Sequence, residues 1–246
     1  MVGERSGGAL LSRIRVIDTT GSTNSDLLGD PAAVEGDWLV ARRQEAGRGR
    51  QGREWQSLEG NFFGSTLVSL KEGDPEAASL SLAAGLALVD AVELAAPQAG
   101  VTLKWPNDLM LDGAKVAGIL LERSGDRIVA GFGVNLAVAP EIEGRATTSL
   151  ADHVQMAPQA FAPLLAGAFA RMLSAWRSST PSALSMAWMQ RGHPVGTPLT
   201  VHDGEGRALG GSFAGLEEDG AMRLDTGDGV HVIRAGDVML SPPPEA

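Results

Sequence analysis

Apolar and polar residues alternate over RIRVID (13–18), the pattern of a strand with one buried face. DWLVARR (37–43) and NFFGSTLVSL (61–70) read the same way. GSTNSDLL, after the first of these, predicts a short helix capped by Ser22 or Thr23. Asp74-Pro75-Glu76 opens a small-residue apolar stretch that predicts a helix to about Ala96. VTLKW (101–105) is a strand stopped by Pro106. Asp112-Gly113 has the two-residue hairpin signature between LML and AKVAGILLE, and RIVAGFGVNL (127–136) is the next strand. Helices follow at about 158–177 and 181–191, the second begun by Pro181. The expected class is α+β: a mixed, mostly antiparallel sheet with helices, not a repeating βαβ unit.

The pattern changes near His193-Pro194. From Pro194 onward there are 10 glycines in 53 residues, and PLTVHD, GRALGGSFAGL, AMRLD and VHVIR are short strand candidates. Such spacing predicts a small β-barrel, so the chain divides into 1–192 and 193–246. The first dozen residues and the last six (SPPPEA) read as unstructured tails.

With 43% hydrophobic and 20% charged residues over 246 positions, the chain can bury a large core, which excludes disorder as its main state. The longest uncharged run, 154–170, is shorter than the roughly 20 residues a membrane span needs. The opening MVGERSGG is not a secretory signal. Zero cysteines exclude disulfides, thiol nucleophiles and Cys-ligated metals. A soluble, cytoplasmic protein with no membrane partner is expected.

The net charge of −10 opposes binding to a nucleic-acid backbone, so no DNA partner is expected. Residues 42–53 (RRQEAGRGRQGR) run against this trend, with five arginines against one glutamate. Gly47 to Gly52 matches G-x-G-x-x-G in letters only, since no crossover helix fits before the next strand. Glycines interleaved with arginines suit a loop that closes on a small anion, although a solvated loop has the same composition.

Lys104-Trp-Pro-Asn-Asp108 and Lys115 form a second group. If Asp112-Gly113 is the turn, Met110 faces Lys115 and Asp108 faces Ala117. That puts Asp108 and Lys115 on one face as diagonal neighbours, about 7–8 Å apart at the backbone. A surface salt bridge explains the pair equally well. Gly131, Gly133 and Asn135 share a face that either floors a ligand site or receives a helix. The four histidines are scattered and read as surface or linker residues, whereas Trp176, Trp188, Met172, Met186 and Met189 read as core.

Together GRGRQGREW (47–55), KWPNDLML (104–111), KVAGIL (115–120) and GFGVNL (131–136), with Ser22-Thr23-Asn24 upstream, resemble the biotin protein ligase family over roughly residues 13–190. The resemblance implies a class II synthetase-like catalytic domain with a C-terminal SH3-like barrel, in a form without the N-terminal DNA-binding domain of some members. It implies that ATP and biotin give biotinyl-5′-AMP and pyrophosphate, and that biotin then passes to a lysine of a biotin carboxyl carrier domain. Mg²⁺ would accompany ATP, with ligands unassigned.

By the same resemblance, Lys115 and Arg48 stand where carboxylate and α-phosphate meet, with Asp108 orienting Lys115 or acting as general base. Ser22, Thr23, Asn24 and Gln44 would hold biotin with Arg48, Gly49, Arg50, Lys115 and Gly118. Gly47, Arg50, Gly52, Arg53, Trp55, Lys104, Asn107 and Asn135 would hold the nucleotide, Arg50 retaining the intermediate and Trp55 stacking on the adenine side. Rival readings are a lipoate or octanoate ligase, a non-catalytic adenylate sensor and a nucleic-acid module. The loop followed by KWPND favours biotin among these. The sheet can pair edge to edge in a homodimer or remain a monomer.

Overall fold

The computed structural model describes residues 13–202 and 207–240; the expected tails lie outside the described residues. In chain order the strands and helices are β1 (Ile14–Thr20), α1 (Thr23–Gly29), β2 (Trp38–Gln44), β3 (Phe62–Ser69), α2 (Leu80–Ala95), β4 (Val101–Lys104), β5 (Asp108–Leu111), β6 (Ala114–Ser124), β7 (Arg127–Val134), α3 (Pro158–Ser178) and α4 (Pro181–Arg191). The first seven strands form one sheet in the order β1-β2-β3-β7-β6-β5-β4. Only β1–β2 is parallel, so the sheet is mixed and mostly antiparallel as expected.

The pairing of β3 with β7 shows how the sequence sorts the two faces. Phe62 opposes Val134, Gly64 opposes Phe132 and Val68 opposes Ile128, and the three apolar partners on β7 join the main core. Trp38 stacks on Phe132 at 5.7 Å and meets Phe169 of α3 edge-on at 6.0 Å. Helices α2 and α3 cover this face, and each fully buried large side chain there contributes about 1.5–3 kcal/mol. The segment Ala77–Ala95 is apolar and long enough to cross a membrane, yet 67% of its 18-residue apolar window is buried in the interior. Helix α2 itself begins at Leu80, later than expected, because Ala77–Ser79 forms a 3₁₀ turn whose Ser79 accepts from Trp176 Nε1 at 2.8 Å.

The opposite face carries Phe63, Ser65 and Leu67 opposite Gly133, Gly131 and Val129. Ser22 caps α1 by accepting from the Ser25 amide, and Leu27 packs with Leu39, Leu67 and Val129 in a second, smaller core. Arg127 closes the other end of α1 by donating to the Leu27 and Asp30 carbonyls at 3.1 and 2.8 Å, a cation at a helix C-terminus. So short a helix covers only part of this face, and the glycine-rich part stays open.

The C-terminal strands are β8 (Pro198–His202), β9 (Ala208–Leu216), β10 (Met222–Asp225), β11 (Val230–Ile233) and β12 (Asp237–Leu240), in a separate sheet ordered β11-β10-β9-β8-β12 that fits an SH3-like barrel. β12 has no counterpart among the strand candidates of the sequence. Trp105 Nε1 donates to the Gly220 carbonyl at 2.9 Å and ties the two sheets. His193 departs from the expected surface position: it is buried between Trp188 and Phe213, its ring 4.3 Å from that of Phe213. Met186 also departs, being 54% exposed because the inward side of α4 is set by Leu184 and Trp188, half a turn away.

Candidate active site

The open part of the second face, the arginine loop and residues 140–147 enclose a cavity of about 420 Å³. Its floor is paired backbone: Gly118 of β6 opposes Gly133 of β7, and Leu120 opposes Gly131. A Cβ on Gly131 would lie 2.1 Å from Asn24 Oδ1, and one on Gly133 would lie 2.3 Å from the Trp55 ring. Both glycines therefore admit another side chain flat against the strand: Gly131 receives Asn24 of α1, as a helix seat would, and Gly133 receives Trp55, while both also line the cavity.

At one end the polar groups are uncharged and interlocked. The Thr23 amide and hydroxyl reach Gln44 Oε1 at 2.8 and 3.0 Å. Ser65, fully buried on β3, lies 2.6 Å from the Thr23 hydroxyl and donates to Asn24 Oδ1 at 2.6 Å. Asn24 Nδ2 donates to Glu122 at 2.8 Å and to the Leu120 carbonyl at 3.2 Å. This order of donors leaves the Gln44 amide hydrogens and the Ser22 hydroxyl hydrogen for a ligand. Ser65 and Glu122 were not singled out in the sequence, because only strand pairing brings them under the Ser-Thr-Asn helix.

The other end is charged. Lys115 Nζ lies 2.5 Å from Asp108 Oδ1, and Lys104 Nζ lies 3.8 Å from Asp108 Oδ2. The expected facing of Asp108 with Ala117 is corrected. The turn forms as anticipated, with positive φ at Asp112 and Gly113, but Val116 bulges and slips the register, so Asp108 opposes Gly118. The bulge sets Lys115 and Gly118 on one face: a Cβ on Gly118 would meet Lys115 Nζ at 3.1 Å and Trp55 at 3.0 Å. The Lys115 ammonium lies 5.3 Å from the Trp55 ring centroid. Burial lowers the Lys104 pKa, with Asp108 opposing that shift.

The arginine loop folds on itself. The Gly49 amide donates to the Arg53 carbonyl at 2.7 Å and the Trp55 amide to the Gly47 carbonyl at 2.9 Å, around a 3₁₀ turn at Arg50–Gly52. Arg50 donates to Asn107 Oδ1 at 3.3 Å, and burial lowers its pKa despite Asp108 and Asp237. Arg53 forks onto Asp237 of β12 at 3.1 and 2.8 Å, and Arg145 reaches the same carboxylate at 3.1 Å. Burial pulls the Asp237 carboxyl up, but Arg53, Arg145 and Lys104 outweigh it and hold it below the usual range.

Of the residues expected at the site, Gly47, Gly52 and Lys104 do not line the cavity. Arg48 lines it but turns toward Ser25 and Glu122. Asn135 is buried and spends its amide on the Thr148 carbonyl at 3.0 Å, which anchors the segment after β7. Arg145, Ile142, Thr147 and Asp237 line the cavity unanticipated. Among the described residues no cluster of three or more His, Asp or Glu is arranged to hold a metal ion.

A profile of the biotin/lipoate A/B protein ligase family matches residues 14–138. The biotin–[acetyl-CoA-carboxylase] ligase of Paracoccus denitrificans is 40% identical over 235 residues, covering 90% of this chain and 98% of that protein. The Mycobacterium tuberculosis enzyme of the same name is 36% identical, covering 97% and 92%. Among solved structures, the biotin protein ligase of Aquifex aeolicus in complex with biotin and ATP superposes with a TM-score of 0.83 at 24% identity, over 93% of this chain and 99% of that one. The chain belongs to the biotin/lipoate A/B protein ligase family.

Proposed function

We propose that this chain is an ATP-dependent biotin protein ligase. Biotin and ATP are converted to biotinyl-5′-AMP and pyrophosphate, and the biotinyl group passes to a lysine of a biotin carboxyl carrier domain. Residues 1–192 form the catalytic unit and 193–246 the barrel. The observation that carries this reading is the cavity's two-ended chemistry: a neutral donor–acceptor end suits a ureido head, and a cationic end suits the meeting of a carboxylate with phosphate.

In the first step a biotin carboxylate oxygen attacks the α-phosphorus, and the bond to pyrophosphate breaks. Two anions must approach, so fixed positive charge at their meeting point lowers the barrier. Lys115, held by Asp108 and laid along the Trp55 ring, is placed for this, and Arg48 supplies a second cation from the loop. Ser22 and Gln44 turn their free hydrogens to the ureido group, and Thr23 and Asn24 line its pocket, Thr23 fixing Gln44 in place. Trp55 covers the glycine floor on the adenine side, with its Nε1 turned in against Gly133. Arg50 and Arg53 keep the loop over the adenylate, excluding water. Asn107 borders the nucleotide, Lys104 acts from behind through Asp108, and Asn135 acts through the segment it anchors.

In the second step the carrier amine attacks the acyl carbon, its N–C bond forms, AMP leaves and the amine proton is lost. Each Asp108 oxygen faces an ammonium nitrogen, which favours orientation of Lys115 over general-base service. Mg²⁺ would supply charge neutralisation on the phosphates. Among the described residues no cluster of three or more His, Asp or Glu is arranged to hold it, so it would enter with the nucleotide, beside the cavity carboxylates Asp108 and Asp237.

The test is pyrophosphate release with ATP and Mg²⁺ in the presence of biotin, lipoate or octanoate, followed by the mass of an added carrier domain. Biotin-dependent release and a carrier heavier by one biotinyl group are expected. Lys115→Ala should lower release by about 10²–10³-fold, the scale for removing one donor to developing charge. Release with lipoate alone would overturn the substrate assignment, and release with none of the acids would overturn the reaction.

A further inference from the structure

We propose that Glu122 of β6 is a positioning residue that uses its two carboxylate oxygens to fix the neutral end and the arginine loop to one anchor; this rests on the ligase reading above. Oε2 accepts from Asn24 Nδ2 at 2.8 Å, and Oε1 lies 3.2 Å from Arg48 Nη2. Both partners are committed in ways that make the carboxylate hard to replace. Asn24 is buried, its Oδ1 is taken by Ser65, and its amide lies against Gly131, so its Nδ2 must find acceptors on the β6 side. Arg48 directs Nη2 to Glu122 and, at 2.5 Å, to the Ser25 hydroxyl at the first turn of α1. It spends only that nitrogen on these partners, so the guanidinium is held by one corner while Nε and Nη1 remain for an anion.

Glu122 therefore acts on the chemistry through other groups. It pins the amide under the acid's head and presents the arginine that meets the carboxylate and phosphate. Burying a head group beside Asn24 and ordering Arg48 then share one contact, so filling the neutral end favours the arrangement needed at the charged end. A glutamine at this position has the same size, but its single carbonyl oxygen can serve Asn24 only by turning its N–H₂ toward the Arg48 guanidinium. Arg48 loses its anchor in that variant while Asn24 keeps its acceptor.

Glu122→Gln and Arg48→Ala should be compared singly and together, measuring kcat and KM for biotin-dependent pyrophosphate release, biotin affinity by calorimetry, and Tm. Glu122→Gln should lower kcat about tenfold, the effect of one charge-assisted hydrogen bond, and change biotin affinity less than threefold. In the Arg48→Ala background it should change kcat less than twofold, because the residue it acts through is gone. A tenfold loss in both backgrounds, or a lowered Tm with unchanged kcat, would overturn the positioning role. Absence of biotin-dependent release from the unaltered protein would instead defeat the ligase reading, which keeps the two failures apart.

Discussion

The two ends of the cavity are built by opposite rules. At the neutral end, Thr23, Asn24 and Ser65 are buried, hydrogen-bonded to one another and carried on β3 and the start of α1. At the charged end, Arg48, Arg50, Arg53 and Arg145 lie outside the named helices and strands, with carboxylates drawn from β5, β6 and β12. A neutral head group gains its specificity from donors and acceptors that cannot reorient, so rigidity suits it. A reaction that brings in phosphates and releases pyrophosphate needs cations that are balanced before ligand arrives yet able to exchange partners. Distributed, partly exposed ion pairs have that property because each is weak.

The largest expected test of this contrast concerns a buried group that feels the charged end. His193, packed between Trp188 and Phe213, lies within electrostatic reach of Lys104, with neither ring nitrogen hydrogen-bonded within the protein, and burial first and Lys104 second lower its pKa from 6.5 to about 4. The folded value lies below the unfolded one. Between these values the unfolded state binds the extra proton, so stability is full above about pH 6.5 and falls as the pH drops toward 4. A shift of this size corresponds to about 3 kcal/mol of unfolding free energy lost over that window. Denaturant titrations at several pH values should show the loss in the native protein and not in His193→Phe, which keeps a ring between Trp188 and Phe213. Parallel pH profiles for the two proteins would refute it.

Next in size is the neutral end. Ser65→Ala leaves Asn24 Oδ1 without its donor and removes the link to Thr23, inside a site with no exposure. Unsatisfied buried polar groups cost about 1–3 kcal/mol, and that loss should appear in urea unfolding together with weaker biotin binding by calorimetry. If stability fell while biotin affinity held, the interlocked network would be structural support and not recognition.

How much of this was readable beforehand follows the same division. Motifs contiguous in sequence identified the arginine loop, the Lys104–Asp108 segment and the glycine floor, because each is one strand or one turn. The Asp108–Lys115 ion pair was expected, but the register beside it was not, since the Asp112-Gly113 turn signature contains nothing about a bulge at Val116. Ser65, Glu122 and Arg145 carry no local signal; they matter only after β3, β6 and the segment following β7 are placed. His193 looked like a linker residue because its aromatic neighbours Trp188 and Phe213 come from different units of the fold.

Asp237 is the extreme case, 184 residues from Arg53 in sequence and on a four-residue strand that the glycine-rich pattern hid. It is also where the C-terminal sheet reaches the site, by fastening the arginine loop from outside. Asp237→Asn keeps the size and removes the charge that holds both Arg53 and Arg145. At 36% side-chain exposure the carboxylate should contribute no more than about 1 kcal/mol, so the fold should be nearly unaffected. The loop should feel the change more than the fold does: tryptic cleavage after Arg48, Arg50 and Arg53 should rise about fivefold without ligand, since 1 kcal/mol is a factor of about five in local opening. Added salt should raise cleavage of the native protein toward the variant's rate and leave the variant unchanged. Equal cleavage of the two proteins at low salt would mean that the loop is held by its own backbone bonds, and the charged end would then be as self-contained as the neutral one.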